Sequence, residues 1–186
     1  LVDGEIVPAD LVLVGVGAIP NTELAEQAGL EVKNGILADA SLATSAPDVF
    51  AAGDVASVMH PVLAERLRSE HWSNAINQGK AAALAMLGRP VSYDEIPYFY
   101  TDQFDLGVEL SGYPNLMRDA KIVVRGSLAD RKYIAFWVRE GKVVAGMNVN
   151  IWDVNETVQK LIRSDKAIDE ARLTDTSVEL ESLVAA

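Results

Sequence analysis

The sequence predicts an α/β segment followed by an α+β domain built on an antiparallel sheet. Three observations carry this reading. Leu11–Val14 is an almost purely apolar run, as a parallel strand covered on both faces would be. A long helical stretch rich in alanine, "SEHWSNAINQGKAAALAML", spans 69–87. Beyond "GRPVSYDEIPYFYTDQ" the style changes to short runs of aromatic and β-branched residues, which places a domain boundary within 91–97.

The elements follow in order. Leu1-Val2-Asp3-Gly4 reads as part of a hairpin with Asp-Gly at its turn, and "EIVPADLVLVGVG" as two strands. "GAIPNTELAEQAGL" predicts a short helix with Asn21 as N-cap, Glu23 in the first turn and Gly29 at the end. "GILADASLATSAPDVFAAGD" predicts a hairpin-like extended pair, a turn at Ala46-Pro47-Asp48, and a strand over Val49–Ala52 that ends on Gly53-Asp54. The long helix closes at Gly88 with Pro90 beyond, and Gly79 inside it predicts tight packing, since glycine there costs about 1 kcal/mol relative to alanine. Strands follow at "DLGVELSG", "KIVVRGS", "RKYIAFWVREG" and "KVVAGMNVN", the last two joined at Glu140-Gly141. A helix over "DVNETVQKLIRSD", capped by Asp153 or Asn155, precedes a short helix near Val178–Leu183.

Composition narrows the function classes. The 186 residues carry a net charge of −11, which argues against nucleic acid or an anionic membrane as partner. No window approaches ~18 uninterrupted apolar residues, so no membrane span is expected. There is no cysteine, which removes thiolate chemistry and Cys-ligated metal from this segment and suits a reducing, cytoplasmic setting. Two histidines, His60 and His71, leave little for a metal site or a triad. Residues 118–142 concentrate seven bases against Asp119, Asp130 and Glu140; a solvated β-surface is favoured there over a dock for an acidic protein. Because it opens on Leu1 without any start or leader pattern, the chain is expected to be a piece of something longer.

Two glycine motifs raise the question of a ligand. Gly15-Val16-Gly17 follows an apolar strand, yet Pro20 stands where a dinucleotide fingerprint needs its third glycine, so it reads as a tight strand exit. Gly53-Asp54 is the stronger signal. Ligands of doubly wound sheets sit beyond the carboxyl ends of the parallel strands, where glycine admits a close backbone approach. An aspartate there can accept from sugar-like hydroxyls while backbone N–H groups of the turn face phosphate. An Asx turn or a helix N-cap is the alternative, and the motif by itself leaves both open.

Taken together, "LVDGEIVPADLVLVGVGAIPNTELAEQAGL", "APDVFAAGDVA" and "EHWSNAINQGKAAALAMLG", in this order, resemble the C-terminal half of the pyridine-nucleotide-dependent flavoprotein reductases. "PYFYTDQFDLGVELSGY" resembles the opening of the C-terminal domain of their ferredoxin reductase branch, which includes the putidaredoxin, rubredoxin and biphenyl-dioxygenase ferredoxin reductases. The resemblance implies three parts: residues 1–14 as the end of an NAD-binding insertion, 15–95 as the second segment of a Rossmann-like FAD-binding domain, and 96–186 as the reductase C-terminal domain. It also implies FAD as cofactor and NAD(P)H as donor. Asp54 would hold the ribityl and pyrophosphate part of FAD with the backbone of Val55 beside it, next to Gly53. Trp72 would lie against the isoalloxazine system, and Tyr100, which stands where relatives often have Trp, would border it. Packing under the long helix is the other reading of Trp72, and a plain core role that of Tyr100. Asp102 and Gln103 are expected to fix a turn.

The activity so implied is transfer of a hydride from NAD(P)H to flavin and of single electrons onward to a ferredoxin- or rubredoxin-type carrier, with no catalytic side chain among these residues and no activity in the segment alone. Two other readings are a disulfide or peroxide reductase of the same superfamily, and a non-catalytic interaction module. The glutathione-reductase-like version of the former is disfavoured because no histidine follows His71.

Overall fold

The computed structural model describes residues 4 and 6–184, which form two lobes, each on its own sheet. Leu1–Asp3 of the expected N-terminal hairpin lie outside the described residues.

The first lobe contains α1 (Glu23–Gln27), β1 (Ile36–Ala38), β2 (Ala56–His60), β3 (Glu65–Leu67) and α2 (Trp72–Met86). Its sheet has the order β1-β2-β3, with β1 parallel to β2 (Ile36 opposite Ala56) and β3 antiparallel to β2 (Val58 opposite Leu67). Small side chains let the layers close: Ala82 of α2 joins Ala38, Leu42, Ala51, Ala56, Val58 and Tyr93 in one core. The alanine-rich face of the long helix is thus used as the sequence suggests.

Several expectations are corrected in this lobe. Leu11–Val14 form no strand; these residues are irregular and exposed, Leu13 by 95%. An apolar strand of a parallel sheet is stable only with neighbours on both edges and faces, and none is present among the described residues. Val49–Ala52 is likewise no full strand, being held by a single bridge between Ala43 and Phe50 and by Ala51 N–H donating to Leu42 O. Gly53-Asp54-Val55 turns into β2, so the motif precedes a strand instead of ending one. The cap of α1 is Thr22, not Asn21, and that of α2 is His71. Gly79 packs against nothing: a Cβ there would meet no atom within 4 Å.

The second lobe holds β4 (Tyr98–Gln103), β5 (Leu106–Gly112), α3 (Pro114–Met117), β6 (Lys121–Ser127), β7 (Lys132–Arg139), β8 (Lys142–Val149), α4 (Asn155–Ser164), α5 (Glu170–Thr174) and a 3₁₀ turn (Leu180–Leu183). The sheet order is β4-β5-β8-β7-β6, every pair antiparallel. Glu140 and Gly141 both have positive φ, the geometry a two-residue hairpin favours, and join β7 to β8 as expected. The α+β expectation therefore holds, with one strand more than the four anticipated: "YFYTDQ" is β4. In consequence Asp102 and Gln103 are the last strand residues, and Phe104-Asp105 make the turn.

Apolar residues of α4 at i, i+3 and i+4 (Val158, Leu161, Ile162) press onto Phe136, Ile134 and Val123, and Phe136 is fully buried. At Gly146 a Cβ would come 2.6 Å from Val158 Cγ1, so the bare backbone of β8 sets how closely α4 lies. Val154 caps α4 without a side-chain bond, in place of Asp153 or Asn155. The Arg125 guanidinium ties down the chain after α5, donating to the carbonyls of Leu173, Asp175 and Val178.

His60 joins the lobes. It ends β2, its Nε2 lies 3.3 Å from Glu95 O in the connector, and its ring stands edge-on to Tyr113 at 5.3 Å. Burial lowers its pKa, against smaller opposing effects from the Glu95 carbonyl and the Asp94 carboxylate, while Arg163 adds to the lowering.

Candidate functional site

Alternation along β4 creates the site. Tyr98, Tyr100 and Asp102 share one face of the strand, and Tyr100 stands opposite Glu109 on β5. The same face runs on through Asn148 and Gly146 of β8, where α4 covers it. At the β4 end the helix no longer reaches, and a cleft of about 390 Å³ opens between Trp72, Ser73, Tyr98, Tyr100, Val108 and Trp152. Trp72, Tyr100 and Trp152 are 69%, 49% and 54% exposed, so the cleft presents three aromatic surfaces.

Each wall is fixed by its backbone. Trp72 is the first residue of α2, directly after the capping His71. Trp152 lies over Gly107: a Cβ on that glycine would fall 2.1 Å from the indole. Asn150 locks the pair, because its Oδ1 accepts from Gly107 N–H at 2.8 Å while its own N–H donates to Gly107 O at 2.9 Å. The floor is polar: the Glu109 carboxylate is doubly bonded, whereas the buried Asn148 Oδ1 has no partner among the described residues. Glu109 accepts from the Tyr98 hydroxyl at 2.7 Å and from Asn148 Nδ2 at 2.8 Å. Burial, and then the Glu109 carboxylate, push the Tyr98 phenol well above its ordinary pKa, so this hydroxyl stays protonated and donating.

The sequence-derived candidates fall in two groups. Trp72 and Tyr100 both line the cleft. Gly53, Asp54 and Val55 do not line it. They sit behind the same helix: a Cβ on Gly53 (φ +81°) would touch Ala75, one turn along α2 from Trp72. Gly53 N–H is already committed to the buried Gln78 Oε1 at 2.8 Å, so it offers nothing to a ligand. In contrast, the Asp54 carboxylate and the N–H groups of Asp54 and Val55 have no hydrogen-bond partner among the described residues, and the Asp54 side chain is exposed. One carboxylate beside two free amide N–H groups offers both an acceptor for hydroxyls and donors for an anion. These residues fit the polar part of a dinucleotide flavin, and the aromatic cleft fits a flat ring system. Among the described residues no cluster of His, Asp and Glu suits a metal ion, and no helix is long and apolar enough to cross a membrane.

Trp152, Tyr98 and Glu109 line the cleft and His71 stands beside it, and none of the four is among the sequence candidates. The i, i+2 spacing of Tyr98 and Tyr100 was a usable signal. Trp152 lies outside every strand, and only the fold brings it over Gly107.

Residues 1–79 match the pyridine nucleotide-disulphide oxidoreductase family, and residues 98–184 match the reductase C-terminal family. The ferredoxin–NAD(+) reductase component of the anthranilate 1,2-dioxygenase system of Burkholderia cepacia is 36% identical over 179 residues, 96% of this chain and 44% of that protein. The crystal structure of the ferredoxin reductase for the CYP199A2 system of Rhodopseudomonas palustris superposes with a TM-score of 0.88 at 35% identity, over 97% of this chain and 44% of that one. The covalent putidaredoxin reductase–putidaredoxin complex gives a TM-score of 0.84 at 35% identity, over 98% of this chain and 43% of that one. The chain thus spans less than half the length of the relatives it matches. Along almost its whole length it is similar to part of such ferredoxin reductases, with a pyridine nucleotide-disulphide oxidoreductase match over 1–79 followed by a reductase C-terminal match over 98–184.

Proposed function

We propose that this chain supplies the flavin-facing aromatic walls and the C-terminal domain of an FAD-containing, NAD(P)H-dependent reductase that passes electrons to a ferredoxin- or rubredoxin-type carrier in the cytoplasm, where the nicotinamide donor is available. The observation that carries the reading is the convergence of Trp72 and Tyr100, 28 positions apart in sequence, on one open cleft. Under this reading residues 1–14 end a nicotinamide-binding insertion, 15–95 are the second FAD-binding segment, and 96–186 form the C-terminal domain.

FAD bound here would supply the hydride and single-electron chemistry. The residues of this chain position it. Asp54 would accept hydrogen bonds from the sugar-alcohol hydroxyls, and the N–H of Val55 would be available to the pyrophosphate. Trp72 and Tyr100 would flank the ring system and keep water from its faces. Two polar side chains of the cleft are already committed to each other: Glu109 is occupied by Tyr98 and Asn148, and Tyr98 keeps its proton.

The test is flavin retention in the full-length protein. Asp54→Ala removes a charged acceptor worth about 1.5–3 kcal/mol, which weakens binding about 10- to 100-fold. Trp72→Ala and Tyr100→Ala each remove an aromatic contact worth about 0.5–1.5 kcal/mol beyond area, about 2- to 10-fold. Unchanged flavin content in all three variants would refute the proposal.

A further inference from the structure

One residue beside the cleft has a geometry that the functions above leave unused. His71 precedes Trp72 and caps α2: its Nδ1 accepts from Ser73 N–H at 3.2 Å and lies 2.9 Å from Ser73 Oγ. This bond fixes the plane of the imidazole. The rest of the ring is turned towards β4, edge-on to three successive aromatic rings: Tyr98 at 5.8 Å, Phe99 at 5.4 Å and Tyr100 at 5.2 Å, with interplanar angles of 80°, 71° and 82°. Such edge-to-face pairs are directional as well as attractive. Capping alone would be served by Ser, Asp or Asn, the residues most favoured there. None of them could reach the second lobe.

We propose that His71 is a positioning residue whose imidazole, clamped at the start of α2 and wedged edge-on against Tyr98, Phe99 and Tyr100, sets the spacing and angle between the Trp72 and Tyr100 walls of the cleft. The inference rests on the flavin reading of that cleft and adds the device that holds its two sides in register. The two walls come from different lobes, and the His71 ring, at the N-cap of α2, lies against β4 on both sides of Phe99. Trp72 follows His71 by one peptide bond, so a tilt of the imidazole is passed directly to the indole.

The test separates ring from cap. In the full-length, flavin-loaded protein, His71→Phe keeps an edge-on ring and loses the cap acceptor, while His71→Asn keeps the acceptor and loses the ring. The readout is the position and shape of the flavin absorption bands, with Trp72→Ala and Tyr100→Ala as references and thermal unfolding followed in parallel. The expected result is a wild-type spectrum for His71→Phe, despite a lower unfolding temperature, and for His71→Asn a shift of the kind the two reference variants show. The opposite pattern, or a failure of His71→Phe to restore the wild-type spectrum, overturns the proposal. An unshifted His71→Asn beside shifted references overturns it while leaving the flavin reading intact. Unshifted spectra in the references as well would overturn both.

Discussion

The two lobes differ in where their strands find partners. In the second lobe all five strands pair with one another, and the core around Phe136, Val158 and Leu173 is closed by helices of the same chain. In the first lobe three short strands pair among the described residues, while Ile6, Leu11, Leu13, Val16 and Ile19 remain exposed along an irregular segment. The difference shows that apolar pattern alone does not make a strand. It makes a segment that needs a neighbour, and residues 98–184 contain their neighbours whereas residues 6–19 do not.

That contrast can be broken by paired substitutions. Phe136→Ala should cost about 3–5 kcal/mol in urea unfolding of the second lobe, the range for deleting a fully buried aromatic ring. Leu13→Ala should change the stability of this same chain by less than about 0.5 kcal/mol, as an exposed position does. An equal loss at both sites would mean that the N-terminal segment packs after all. Tyr98→Phe comes next, at about 1 kcal/mol, because it removes the hydroxyl bond to Glu109 while Asn148 still serves that carboxylate. Urea melts of the variant measure it, and the aromatic wall should survive.

The joint between the lobes should respond to acid. His60 has a lowered pKa in the folded chain, so the unfolded chain binds more protons wherever free histidine does, below about 6.5. Its contribution is therefore intact above that pH and is lost progressively as pH falls through it. Asp94, Glu95, Arg163 and Tyr113 surround the joint and set the depth of the loss. Unfolding measured from pH 7.5 to 5 should show the decline, and His60→Gln should flatten it. A variant as acid-sensitive as the parent would place the sensitivity elsewhere.

The smallest effect is expected on the basic surface of the second lobe. Lys121, Arg125, Arg131 and Lys142 are engaged within the chain, with Glu170, three backbone carbonyls, Asp105 and Asp165. This leaves less free charge than the sequence suggests, and a charge-reversal pair Arg131→Glu and Lys132→Glu should leave folding nearly unchanged. If an acidic carrier docks there, the pair should still reduce the salt dependence of electron transfer in the full-length protein. No change would remove this surface from the docking site.

Much of the architecture was legible because it depends on local rules. The Glu140-Gly141 turn, the alanine face of α2 and the i, i+3, i+4 stripe of α4 could all be read from neighbouring residues. The motif Gly53-Asp54 was visible, but not the side of a strand on which it lies, since that depends on pairing between β1 and β2. The cleft was half legible. Trp72 and Tyr100 were recognisable through resemblance, whereas Trp152 reaches the site only because Gly107 lacks a side chain, 45 positions away in sequence. His71 was hidden by its own ambiguity, since cap and ring act at once and neither shows in a linear pattern.

The placement of flavin between the two lobes is tested most directly by a crystal structure of the full-length, flavin-loaded protein. The expected result is the ring system within about 4.5 Å of both Trp72 and Tyr100, with the Asp54 carboxylate on the ribityl hydroxyls. A flavin ring seated away from that cleft, with Asp54 facing only solvent, would contradict it.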